Sequence, residues 1–129
     1  MLRLTLVLAL VACSEKKESP PSSAPPTTPA PAVADAAHEA RTLFQNLCST
    51  CHGTSGRGDG PGAANLQPKP RDYTDAGWQV STTDDQIRAI IIGGGAAVGK
   101  SNMMPPSPQL ADKPQVVDEL VKIVRGFAP

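Results

Sequence analysis

Aromatic residues are scarce in this chain: Phe44, Tyr73, Trp78 and Phe127 are the only four among 129 residues. With a hydrophobic share of 40%, little bulk is left for a self-sufficient core. Charge of one sign is lacking too, because twelve basic and twelve acidic residues cancel and no stretch concentrates Lys and Arg. That balance excludes a domain working mainly as a polycation on nucleic acid or anionic lipid. Three cysteines are an odd number, so a closed disulfide framework is excluded as well. No apolar run approaches the ~20 residues of a spanning helix. What is abundant is Pro (14) and Gly (11), unevenly spread. The length suits one domain, and the composition predicts that something other than protein side chains fills part of its core.

Residues 1–12 read as an export signal, with Arg3 as a meagre positive start and an apolar stretch from Leu4 to Ala12 broken only by Thr5. The following Leu10-Val11-Ala12-Cys13 resembles the lipobox of bacterial lipoproteins, in which the peptide is cut before the Cys and that Cys is acylated. Ala32-Val33-Ala34 offers an A-x-A cleavage site, but it lies too far beyond the apolar run to be convincing. From Ser19 to Ala34, six prolines alternate with Ser, Thr and Ala, and no apolar periodicity offsets the ordering entropy. Residues 13–34 are therefore read as a lipidated Cys and a semi-rigid tether. Fully extended as polyproline II at ~3.1 Å per residue, it would reach roughly 65 Å. The expected location is exported, periplasmic or at the cell surface, held to a membrane by the lipid.

Residues 35–129 carry the periodic signals of a folded domain. Ala36, Ala40, Leu43, Phe44 and Leu47 predict a first helix from an Asp35 N-cap to about Asn46. Thr83-Asp84-Asp85-Gln86 fits a capping box, followed by Ile87, Ile90 and Ile91 on one face and a stop at Gly93-Gly94-Gly95. A third helix is expected to open near Asp112, with Pro114 in its first turn and Val117, Leu120, Val121 and Val124 as its buried stripe. No segment alternates like a strand, so the fold class is all-α: three main helices joined by long loops. A loop from Gly53 to Gln79 is longer than a compact domain normally tolerates without a function. Both the thin core and the long loop are explained if the chain wraps a large apolar cofactor.

Cys48-Ser49-Thr50-Cys51-His52 is a C-x-x-C-H run, the mark of covalent c-type haem attachment. Two thiols one helical turn apart can add across the vinyl groups on one porphyrin edge, which places the adjacent imidazole under the iron. A thioredoxin-like redox pair would instead need a preceding strand. Structural zinc would need a fourth ligand, and the other histidine, His38, sits ten residues upstream on a helix where it should be solvated. Haem c, one and covalent, is the favoured cofactor.

At these residues the sequence resembles class I cytochrome c over about residues 36–127, most of all the small bacterial periplasmic and membrane-attached members. Gly56-Arg57-Gly58-Asp59-Gly60-Pro61 looks like their post-haem loop, and Pro68-Lys69-Pro70-Arg71-Asp72-Tyr73-Thr74-Asp75 is similar to a recurring stretch. The resemblance implies that Ala40 and Phe44 on the first helix cross Leu120 and Ile123 on the last. At the second of these the family often has an aromatic, from which Ile123 departs. It also implies a Met directly before a Pro as the iron's second axial ligand, which matches Met104 in Met103-Met104-Pro105-Pro106 and not Met103. A thioether favours ferrous iron and raises the reduction potential. By the same resemblance His52 donates its other ring N–H to the Pro61 carbonyl. By position alone, Arg71, Tyr73 and Trp78 could reach the propionates, and Leu66 could pack on the haem face.

The implied function is one-electron transfer between redox protein partners, with no catalytic residue, no small-molecule substrate and no nucleic acid. Two alternatives carry different expectations. A haem enzyme or gas sensor would need an open sixth position, and a haem-bearing subunit of a larger oxidoreductase would co-purify with that complex.

Overall fold

A computed structural model describes residues 31–129. The signal, Cys13 and the tether as far as Ala30 lie outside the described residues. Five α-helices occur among the described residues: α1 (Pro31–Leu43), α2 (Ser49–His52), α3 (Ala76–Ser81), α4 (Asp84–Gly93) and α5 (Pro114–Arg125). Among the described residues there is no strand, and no helix is long and apolar enough to cross a membrane. The fold is all-α, as composition and periodicity predict.

The first helix departs from expectation at both ends. It begins at Pro31, about a turn before Asp35, so the last residues assigned to the tether are helical. Its end is not a stop. A widened π turn over Phe44–Cys48 leads directly into α2. A π turn inserts an extra residue and so re-aims everything after it, a feature common at functional sites. Phe44 ends the buried row Ala36, Ala40, Phe44, and past this turn Cys48 and Cys51 are only partly buried. The Ser49 hydroxyl donates to the Gln45 carbonyl across this turn at 2.6 Å, occupying a carbonyl that the wide turn loosens.

The core forms where α1 crosses α5. Ala40 is fully buried and Phe44 nearly so, against Val117, Leu120, Val121 and Val124 of α5. A small residue at the crossing lets the helices approach, and the phenyl ring supplies the area. Ile123 is only half-buried at the edge of this contact. The aromatic that packs on Phe44 is Phe127, one turn further on, with ring centroids 5.5 Å apart.

Helix α4 starts as its sequence predicts. Thr83 Oγ1 accepts from the Gln86 N–H at 3.2 Å while Gln86 Oε1 accepts from the Thr83 N–H at 2.8 Å, a reciprocal cap stabilising by about 1 kcal/mol. Asp84 and Asp85 complement the helix dipole. It ends at Gly93, and Gly94 turns the chain with φ +74°, where a Cβ would stand 2.8 Å from the Pro106 nitrogen. That close approach is what lays the Met103–Pro106 segment across the end of α4. Helix α5 opens at Pro114, which needs no N–H there.

The stretch from Gly53 to Gln79 is not all loop. Asp75 caps α3 by accepting from the Trp78 N–H at 3.1 Å. Arg125, at the end of α5, then clamps this corner. Its Nη1 donates to the Gln79 carbonyl (2.7 Å) and to Gln79 Oε1 (2.9 Å), its Nη2 to the Thr82 carbonyl and its Nε to Asp84 (2.8 Å). One guanidinium thus ties α5 to α3 and to the first turn of α4.

Candidate functional site

Two adjoining cavities, of about 240 and 630 Å³, lie between α2, the loop around Pro68–Tyr73, α4 and the Met103–Pro105 segment. Volumes of this order are typical of cofactor sites. Cys48 and Cys51 line the first cavity, and His52, Tyr73, Ile91 and Met104 line both. Ile91 is a half-buried apolar residue whose exposed part faces these cavities rather than the core. The predicted stripe of α4 does both jobs: Ile87 is buried in the core and Ile91 packs against it, and Ile87, Ile90 and Ile91 all line the second cavity.

The thiols of Cys48 and Cys51 are free, and burial pushes the Cys48 thiol above its usual range, keeping it protonated. His52 is buried, and desolvation lowers its pKa although the hydrogen bond to a carbonyl partly opposes this. At neutral pH it is therefore the uncharged imidazole that can bind a metal. The bond is from Nδ1 to the Arg71 carbonyl at 3.2 Å, so Nδ1 carries the proton. Nε2 has no hydrogen-bond partner among the described residues.

The acceptor is thus Arg71 and not Pro61, as the resemblance implies. The reason lies in how the glycine-rich loop returns. The Gly58 N–H donates to the His52 carbonyl at 2.8 Å, and Gly58, at φ +72°, lies so close to the Pro70 carbonyl that no Cβ fits between. This contact brings the residue-71 carbonyl to the imidazole, while Pro61 is exposed at the start of a short 3-10 turn.

Met104 is half-buried, with its backbone fixed by the Gly95 N–H donating to its carbonyl at 3.0 Å. Met103 lines only the first cavity and is 53% exposed. Leu66 lines the first cavity, and Arg71 and Trp78 line the second. Arg71 pairs with Asp75 at 3.1 Å and lies over the Trp78 ring, 5.9 Å from its centroid. Tyr73 is buried, and its ring stacks on that of His52 with centroids 4.5 Å apart and planes 10° from parallel.

Sequence reasoning missed Lys100, which adds a cation to the wall of the second cavity, Lys69, whose ammonium donates to the Ala63 and Ala64 carbonyls at 2.8 Å, and Gln79, Arg125 and Phe127. None has a local signature, since each acts through partners that only the fold brings near. A capped helix can be read from a four-residue pattern, and these contacts cannot.

The competing readings of the C-x-x-C-H run fail on this geometry. A helix precedes it rather than a strand, and among the described residues no group of three or more His, Cys, Asp or Glu could hold a metal ion. His38 is exposed. The family model for cytochrome c matches residues 37–122. The chain belongs to the cytochrome c family. Its proteins transfer electrons through a covalently bound c-type haem and work with redox protein partners, and Cys48 and Cys51 fit the attachment motif. No curated protein and no solved structure matches the chain significantly. The family match stops at Lys122, short of both Arg125 and Phe127.

Two free thiols, an imidazole with an open Nε2 and apolar walls form a donor set that suits this cytochrome's cofactor.

Proposed function

We propose that this cytochrome is a class I, monohaem electron carrier: one haem c bonded through Cys48 and Cys51, with His52 and Met104 as the axial ligands of its iron. The observation that carries the ligand assignment is that His52 and Met104 both line both cavities, whereas Met103 lines one and turns largely to solvent. When bound, the haem supplies a one-electron couple. The chain supplies everything that tunes and protects it.

His52 offers a neutral nitrogen oriented by the Arg71 carbonyl. Met104 offers a soft thioether, which favours the ferrous state and raises the potential. Because both ligands come from fixed segments, neither need move when an electron arrives, which keeps reorganisation small. Arg71, Lys100 and Trp78 would supply the charge and donors that two propionates require on leaving bulk water. Leu66 and Ile91 exclude water from the apolar faces. With Met104 as a ligand the haem would keep no open position for a substrate, which supports a carrier's role over an enzyme's.

Cys13 is the proposed acylation site, after removal of residues 1–12, and the Pro-rich segment is the tether that lets the domain range from a membrane surface to its partners. The proposal places the protein in the periplasm or at the cell surface.

The ligand assignment is tested in the ferric protein, where a thioether–iron bond gives a weak charge-transfer band in the near-red. Met104→Ala should abolish that band, lower the potential and let carbon monoxide bind the ferrous form. Met103→Ala should leave all three unchanged. The reverse pattern would overturn the assignment.

A further inference from the structure

The Nδ1 hydrogen bond of His52 is long, at 3.2 Å against the usual 2.9–3.0 Å, and carbonyl acceptors tolerate a broad range of approach. Alone it leaves the imidazole plane room to swing. The ring has a second neighbour. Tyr73 lies parallel to it at 4.5 Å, and any tilt of the imidazole drives its edge into the tyrosine face.

Tyr73 is itself unusually well held. Its N–H donates to the Gly56 carbonyl at 2.7 Å, and its own carbonyl accepts from Gln79 Nε2 at 2.7 Å. The same Nε2 donates to the Val124 carbonyl at 2.9 Å, and Gln79 Oε1 accepts from Arg125. Trp78 and Phe127 flank the Tyr73 ring at 5.4 and 6.1 Å. A chain of contacts therefore runs from the end of α5 through Gln79 to Tyr73 and ends on the face of His52.

We infer that Tyr73, held in place by Gln79 and through it by Arg125, is a positioning residue that fixes the plane of the His52 imidazole. The inference rests on the proposed ligation of the iron by His52. The ligand plane matters because overlap of the imidazole π system with the iron d orbitals sets how unpaired spin spreads over the porphyrin. A neighbour that orients a metal ligand thus tunes the centre without touching it.

The test is proton NMR of the ferric haem-loaded protein, with the midpoint potential measured on the same samples. The wild type should show hyperfine-shifted protons of a ligated imidazole; their absence would remove the ligand assignment and this inference together. Given those signals, Tyr73→Leu should re-order the four hyperfine-shifted haem methyl resonances and shift the potential. Tyr73→Phe, which keeps the stacked face, should preserve the wild-type order. Gln79→Leu, which keeps the ring but frees its backbone, should move the methyl pattern in the same direction as Tyr73→Leu and by less. Should Tyr73→Leu fail to accumulate with haem, Gln79→Leu decides alone. A wild-type methyl pattern in Tyr73→Leu or in Gln79→Leu would overturn the inference, as would a Tyr73→Phe pattern as altered as that of Tyr73→Leu.

Discussion

Phe44 and Phe127 should be energetically coupled, and a double-mutant cycle on the haem-loaded protein measures by how much. Phe44 is 6% exposed in the α1–α5 crossing, so Phe44→Ala removes a nearly complete aromatic burial and leaves a cavity, at a cost of about 3–5 kcal/mol. Phe127 is less completely buried, and Phe127→Ala should cost less than Phe44→Ala because less apolar area is lost. With centroids 5.5 Å apart the two rings make a tilted aromatic pair, which contributes about 0.5–1.5 kcal/mol beyond burial. The double variant should therefore be less destabilised than the sum of the singles by about 1 kcal/mol. Guanidinium unfolding followed by far-UV circular dichroism provides the four stabilities, and in a domain of this size each kcal/mol also moves the thermal midpoint by about 4–8 °C. A parallel cycle of Phe44 with Ile123→Ala should give the smaller coupling. Additivity of Phe44 and Phe127 within the ~0.3–0.5 kcal/mol seen for independent sites would refute the reasoning. So would a larger coupling to Ile123.

Cys48→Ser or Cys51→Ser should lower the amount of covalently attached haem and leave a protease-sensitive domain, read by mass spectrometry and limited proteolysis; a variant that folds cooperatively without haem would contradict this. Cys13→Ser should move the protein from the detergent phase to the aqueous phase with its absorption spectrum unchanged, and the native protein should begin at acylated Cys13 by mass. For acid stability, Asp72 accepts from the Thr74 N–H and hydroxyl at 2.8 and 2.7 Å, which holds its carboxyl below the usual range. A lowered folded-state value means the unfolded chain takes up the proton first, so the contribution is present above about pH 4 and lost as pH falls further. The stability gap between wild type and Asp72→Asn should be constant from neutral pH to about pH 5 and close below about pH 4 in an acid titration; a gap that widens there would contradict the assignment.

Much of the domain is legible locally. The Thr83–Gln86 cap, the Pro114 start and the α5 stripe are each encoded within one or two turns, and the structure keeps all three. The C-x-x-C-H run works the same way, because its chemistry depends on spacing within a single helix turn. What sequence reasoning loses is whatever depends on a partner far along the chain. Helix α3 has six residues, too few for a period to show, and its one signal is Asp75 three residues before Trp78. The Arg71 carbonyl replaces Pro61 because Gly58 folds back on Pro70. The aromatic opposite Phe44 is Phe127, which keeps the spacing of the α5 stripe but lies past the helix's last residue, Arg125, so the stripe as read stops one turn short of it.

The central claim is that the two cavities and the Cys48–His52 segment hold one covalently bound haem that cycles a single electron. Its most direct test is the absorption spectrum of the full chain, produced in cells with a haem-attachment system, before and after acid–acetone extraction. The ferrous protein should show sharp α, β and Soret bands and a mass raised by one haem, with colour that stays with the protein through extraction. Haem that extracts, or a chain that folds without any, would contradict it.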